Sequence, residues 1–189
     1  MTYMSDLKRI VWKLSLLALA LLLTLSLVAC AHGQNEGYGE EQSTAGAGAA
    51  QWGSAPDFMV LDAESKAVYL SDFAGKPIVV NFWATWCGYC KVEMPDFHKA
   101  YLAYPDVVFL MVNVTDGVYE TKEKADAYVA QEGFTFDIYY DAAGLAQSAY
   151  QISGYPTTIF INAQGDVVAK EVGAISYDTL VQGIGLISE

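Results

Sequence analysis

After Arg9 this chain of 189 residues contains no arginine, and its only histidines are His32 and His98. Arginine supplies the planar fork that grips phosphate oxygens two at a time, so a body without it is poorly equipped to hold nucleic acid. The charge balance points the same way. Formal net charge is −12; Lys8, Arg9, Lys13 and Asp6 give the first 29 residues +2, which leaves −14 on the remainder. Acidity of that size serves solubility and repels polyanions. Cysteine is also scarce, with three in all. A structural zinc site needs four ligands, and Cys87, Cys90 and His98 fall short. A c-type haem attachment needs histidine directly after a Cys-x-x-Cys pair, where Lys91 stands. Neither a metal nor a cofactor is expected.

Near the N-terminus one uncharged apolar run stands out, Leu14 to Ala29. It is shorter than the roughly 20 residues needed to span a bilayer as a helix. Lys8, Arg9 and Lys13 precede it, and it closes with Leu27-Val28-Ala29-Cys30. A basic start, an apolar middle and a small residue before the cut read as a cleaved export signal. The closing four residues resemble the bacterial lipobox, in which the cysteine after the cut carries diacylglycerol. The expectation is a signal peptide over residues 1–29, lipidation of Cys30, and a protein lipid-anchored at the extracytoplasmic face of the cell membrane. An uncleaved anchor with an incidental cysteine would give the same address. Residues 30–54 show no hydrophobic periodicity and are dominated by Gly, Ala and Glu, which suits a flexible tether. Its r.m.s. reach is on the order of 25 Å. His32 falls in this tether and reads as a solvated residue.

From residue 55 to 189 the pattern is that of one globular domain. Strands are expected over 58–62, 68–70, 78–83, 107–114 and 136–140. Helices are expected over 87–104, 120–132 (stopped by Gly133), 145–150 and 177–187, the last capped by Ser176. On the first helix Val92, Met94, Phe97, Ala100, Tyr101 and Ala103 form the face expected to pack on a sheet.

The chain is organised around Asn81-Phe82-Trp83-Ala84-Thr85-Trp86-Cys87-Gly88-Tyr89-Cys90-Lys91. An apolar strand ends here and a helix begins, so Cys87 and Cys90 straddle the helix's first turn. Residues three apart on a helix have Cβ atoms roughly 5–6 Å apart, close enough for the sulfurs to bond or separate. Free backbone N–H groups and the helix dipole favour a thiolate at Cys87. Cys90 is shielded one turn in. The pair makes a reversible dithiol/disulfide switch. A merely structural disulfide is the competing reading, and it would leave a tethered, non-catalytic binding module.

Trp86-Cys87-Gly88-Tyr89-Cys90-Lys91 with Pro95 five residues on resembles the thioredoxin superfamily. Asn81 to Cys87 followed by Glu93-Met94-Pro95 looks most like its TlpA/ResA-like extracytoplasmic thiol-disulfide oxidoreductases. Leu70-Ser71-Asp72-Phe73-Ala74-Gly75-Lys76, Gly154-Tyr155-Pro156-Thr157 and Val172-Gly173-Ala174-Ile175-Ser176 extend the similarity over roughly residues 55–188. The resemblance implies an α/β, thioredoxin-like fold, a central mixed sheet flanked by helices with the TlpA/ResA-type insert between about 120 and 150. It implies a cis bond at Pro156, and a Tyr155 backbone that meets substrate peptide beside the cysteines. Trp86 would be an exposed apolar platform and Trp83 part of the core. Cys87 would attack a partner's disulfide and Cys90 would resolve it. Asn81 stands where thioredoxin has a buried aspartate, so proton handling would pass to Glu93, which matches the active-site glutamate of ResA-like proteins. Glu93 also fits as an acid favoured near a helix start.

The activity implied is reduction of disulfides in exported proteins, apocytochrome c or a methionine sulfoxide reductase among family partners. Electrons would come from a membrane thiol carrier of the CcdA/DsbD type. Gly88-Tyr89 adds no cation beside Cys87 and gives no reason to expect a strong oxidant's very acidic thiol. The same dipeptide occurs in bacterial disulfide isomerases, so a disulfide oxidase or isomerase is the alternative. Peroxiredoxin chemistry would place an arginine beside its thiolate, and none follows Arg9. Sco-type copper delivery would need a wider cysteine spacing and a histidine later than His98.

Overall fold

The computed structural model describes residues 53–188. The expected signal peptide, the expected lipid site at Cys30 and the linker as far as residue 52 lie outside the described residues. Ordered pairing starts slightly before residue 55. Ser54 bridges to Asp166, and the Gly53 carbonyl accepts from the Val167 N–H at 3.0 Å.

A short antiparallel hairpin opens the domain, β1 (Met59–Leu61) with β2 (Ala67–Tyr69), followed by a 3-10 turn over Leu70–Phe73. Then comes β3 (Ile78–Trp83), Ile-Val-Val-Asn-Phe-Trp, buried at every position. A strand covered on both faces reads as a continuous apolar run and not as an alternation. It leads into α1 (Gly88–Ala103), β4 (Val108–Asn113), α2 (Lys122–Glu132), β5 (Ile138–Tyr140) and α3 (Leu145–Ala149). The chain closes with β6 (Thr157–Ile161), β7 (Val167–Val172) and α4 (Tyr177–Ile187).

The seven strands form one mixed sheet in the order β2-β1-β5-β4-β3-β6-β7. β3, β4 and β5 run parallel; β6 and β7 on one side, β1 and β2 on the other, pair antiparallel. β3 thus lies inside the sheet, between β4 and β6, and delivers the Cys87 turn at its C-terminal end.

Helix α1 buries Cys90, Glu93, Met94, Phe97 and Ala100. Val92 and Ala103, expected on that face, are exposed instead, Val92 by 72%. At 3.6 residues per turn Val92 points well away from Cys90, Met94 and Phe97, and Glu93 takes the inward direction. Helix α4 packs on α1 and β6 through Leu180, Gly183, Ile184 and Ile187. Its N-cap Ser176 accepts from the Thr179 N–H at 3.2 Å. The helix approaches β6 so closely that a Cβ at Gly183 would fall 2.3 Å from the Phe160 ring.

Candidate active site

Between Trp83, the last residue of β3, and the start of α1 the chain makes one tight turn. The Cys87 N–H donates to the Ala84 carbonyl at 3.2 Å, and Cys87 becomes the N-cap of α1. Cys87 and Cys90 are joined in a disulfide with their Cα atoms 5.3 Å apart. The Cys90 N–H, one of the helix's unpaired first donors, points at Cys87 Sγ from 3.1 Å. Once the bond is reduced, that donor and the helix dipole favour negative charge on the same sulfur. Cys87 keeps 6% of its surface exposed and Cys90 none. Of the two, only Cys87 keeps any exposed surface.

Trp86 is 57% exposed, and its ring meets Tyr155 edge-on at 5.7 Å between centroids. The Tyr155–Pro156 bond is cis. The loop that carries it is therefore held beside the residue preceding Cys87. The Tyr155 hydroxyl donates to Gln147 Oε1. Asp141 holds Gln147 in turn, its Oδ2 accepting from the Gln147 N–H at 2.9 Å and from Nε2 at 3.0 Å. The aromatic platform is thus braced from α3. Trp83 is fully buried.

Two buried polar side chains meet between the strand and the helix that carry the site, Asn81 from β3 and Glu93 from α1. Asn81 Nδ2 donates to Glu93 Oε1 at 2.8 Å and to Thr158 Oγ1 at 3.1 Å. Glu93 Oε2 accepts from the Ile175 N–H at 2.9 Å. Burial pushes the Glu93 carboxyl up to about 7, outweighing the two hydrogen bonds that favour its ionised form. A carboxyl poised there can take or give a proton at neutral pH. It stands one helical turn beyond Cys90.

Glu120 is a site residue that sequence reasoning missed. It is fully buried, with Oε1 accepting from the Thr85 N–H at 2.8 Å and from Asn113 Nδ2 at 2.6 Å. Oε2 accepts from the Thr85 hydroxyl at 2.6 Å. The carboxylate clamps the turn that carries Trp86 and Cys87. In sequence it is one more acid at the start of an expected helix, and no spacing marks it. His98, half-buried on α1, hydrogen-bonds Thr135 through Nε2 at 3.0 Å and packs on Phe134 and Phe136. Lys91 lies over the Tyr128 ring, 5.0 Å from its centroid. Among the described residues no three His, Cys, Asp or Glu side chains gather as a metal site.

Comparison with known proteins extends these observations. The profile of the AhpC/TSA family matches residues 53–170. The thiol-disulfide oxidoreductase ResA of Oceanobacillus iheyensis is 35% identical over 132 residues, covering 67% of this chain and 67% of that protein. A crystal structure from Chlorobium tepidum, assigned as thiol:disulfide interchange protein DsbE, superposes with a TM-score of 0.64 at 27% identity, over 71% of this chain and 96% of that one. The exposed lipoprotein thioredoxin Etrx1 of Streptococcus pneumoniae strain TIGR4 gives a TM-score of 0.58 at 28% identity, over 68% of this chain and 98% of that one. Kinship in sequence and likeness in fold meet on a single chemistry: the chain belongs to the AhpC/TSA family and is a thioredoxin-like thiol-disulfide oxidoreductase of the ResA and DsbE type.

Proposed function

We propose that the protein reduces disulfides in exported proteins, working from the extracytoplasmic face of the cell membrane, where lipid on Cys30 holds it. The observation that carries this reading is the asymmetry of the pair, Cys87 reaching the surface at the helix start and Cys90 sealed behind it. In the reduced form the Cys87 thiolate attacks one sulfur of a partner's disulfide, and the partner's other sulfur leaves as a thiolate and takes up a proton. Cys90 then loses its proton towards Glu93 and attacks Cys87 Sγ, which frees the partner's second thiol and closes the Cys87–Cys90 bond. Two electrons and two protons pass to the partner. Trp86, Tyr155 and Pro156 seat the partner's extended segment against Cys87.

The reducing direction is supported by Gly88-Tyr89, which adds no cation to make Cys87 strongly acidic and the protein strongly oxidising. A membrane thiol carrier of the CcdA/DsbD type returns the electrons. Partners of the apocytochrome c or methionine sulfoxide reductase kind suit a reductant outside the cytoplasm. The lipid anchor is supported by Leu27-Val28-Ala29-Cys30, and one structural relative is itself described as an exposed lipoprotein. Cys90→Ser tests the division of labour. It should accumulate partners as mixed disulfides on Cys87, whereas Cys87→Ser should capture few; the reverse pattern would overturn the assignment.

A further inference from the structure

Two apolar side chains on the loop between β4 and α2 are turned out to solvent while their backbone is held fast. Val118 is 72% exposed and Tyr119 77%. Asp116 Oδ1 accepts from the N–H groups of Val118 at 2.7 Å, Tyr119 at 2.7 Å and Glu120 at 2.9 Å. The Glu120 carbonyl accepts from the N–H groups of Asp116 and Gly117, each at 3.0 Å. Lys124 Nζ donates to the Tyr119 carbonyl at 2.7 Å. Gly117, at φ 75°, allows the reversal. The Glu120 side chain then ties the end of the loop to Thr85. Thr85 is two residues from Cys87 and Glu120 two from Val118, so the pair stands beside the turn that carries the attacking sulfur. A loop fixed by this many hydrogen bonds presents its side chains from one backbone conformation. Covering such side chains removes apolar surface from water, and tyrosine gives much area for little lost rotamer freedom.

We propose that Val118 and Tyr119 form a specificity-determining lip, which binds the residues flanking the disulfide of an oxidised partner. The favoured segment carries aliphatic or aromatic residues next to the attacked cysteine and lacks acidic ones. The apolar preference follows from the two side chains and from the Glu120 tie that fastens their loop to the Thr85 turn. The exclusion of acids follows from charge, since residues 53–188 hold seventeen Asp and Glu against seven Lys. The lip takes no part in electron transfer. This inference rests on the reading of Cys87 as the attacking thiol.

The test uses the full-length protein reduced with dithiothreitol and three synthetic peptides, each with one intrachain disulfide flanked by Leu-Phe, Ser-Ser or Glu-Glu. Reduction of bis(2-hydroxyethyl) disulfide by the wild-type protein gauges Cys87 alone; its failure would overturn the reading of the site, not that of the lip. The wild type should reduce the Leu-Phe peptide about tenfold faster in kcat/KM than the Ser-Ser peptide, the size expected when one or two apolar contacts are made. In Val118→Ser/Tyr119→Ser that ratio should fall towards one. The disadvantage of Glu-Glu against Ser-Ser should persist, because it comes from the whole surface. Tyr119→Phe should keep the apolar preference. A wild type that treats the Leu-Phe and Ser-Ser peptides alike, or a double variant with the preference intact, would overturn the proposal.

Discussion

Asn81 of β3 and Glu93 of α1 meet in the buried interior, Nδ2 to Oε1 at 2.8 Å, and Asn81 Oδ1 has no partner among the described residues. The pair couples β3 to α1, and it puts a carboxyl raised to about 7 one turn beyond the shielded Cys90. A folded-state value above the ordinary 4.5 means that the native state holds this proton more tightly than the unfolded chain. Its contribution to stability is fully present below pH 4.5 and is lost as pH rises through 7.

Glu93→Gln should remove that dependence. At about 1.4 kcal/mol per pKa unit, the stability of the wild type relative to the variant should drop by on the order of 3 kcal/mol between pH 4.5 and pH 8. Urea unfolding of both oxidised proteins across that range measures the difference directly. The substitution is shape-conserving, and Asn81 can turn its free Oδ1 to the new amide. In kinetics the variant should resolve mixed disulfides 10²–10⁴-fold more slowly, the usual worth of a positioned general base, and should lose the rise in rate near pH 7. An unchanged pH–rate profile would reduce Glu93 to a helix-start acid.

Gly183→Ala addresses packing instead of chemistry. With the added Cβ only 2.3 Å from the Phe160 ring, α4 or β6 has to shift. Overpacking of this kind costs about 1–3 kcal/mol. Chemical denaturation should show that loss, and the folded fraction should exchange disulfides at the wild-type rate because the change is remote from Cys87. A variant as stable as the wild type would mean that the helix and strand yield more easily than their contact suggests.

Cys30→Ala tests the anchor. The variant should persist as an uncut precursor and take up no labelled fatty acid in cells. Lipid labelling equal to that of the wild type would place the anchor elsewhere.

What could be read in advance follows the range of the interactions. β3 and the Cys87 turn are contiguous, so an apolar run followed by Trp-Cys-Gly-Tyr-Cys located the centre of the sheet and the disulfide in a single stretch. Ser176 caps its helix through an atom three residues away, and Gly133 ends α2 in the left-handed conformation; both signals are local. The sheet's mixed topology and the cis bond at Pro156 came through resemblance. Other features depend on partners far along the chain. Glu120 reaches Thr85 across 35 residues, and Glu93 reaches Ile175 across 82. No period or spacing announces either. Val92 and Glu93 show the limit most plainly: hydrophobic patterning assigns the valine to the core, whereas the buried hydrogen bonds of Asn81 and Ile175 draw the glutamate inward.

The midpoint potential of the Cys87/Cys90 couple, from glutathione titration of the full-length protein, tests most directly the claim that this is a reductant. A value nearer thioredoxin's, about −270 mV, than DsbA's, about −120 mV, is expected, since Gly88-Tyr89 brings no cation to stabilise the Cys87 thiolate. A value in the oxidising half of that range would contradict the reducing role and favour a disulfide oxidase or isomerase.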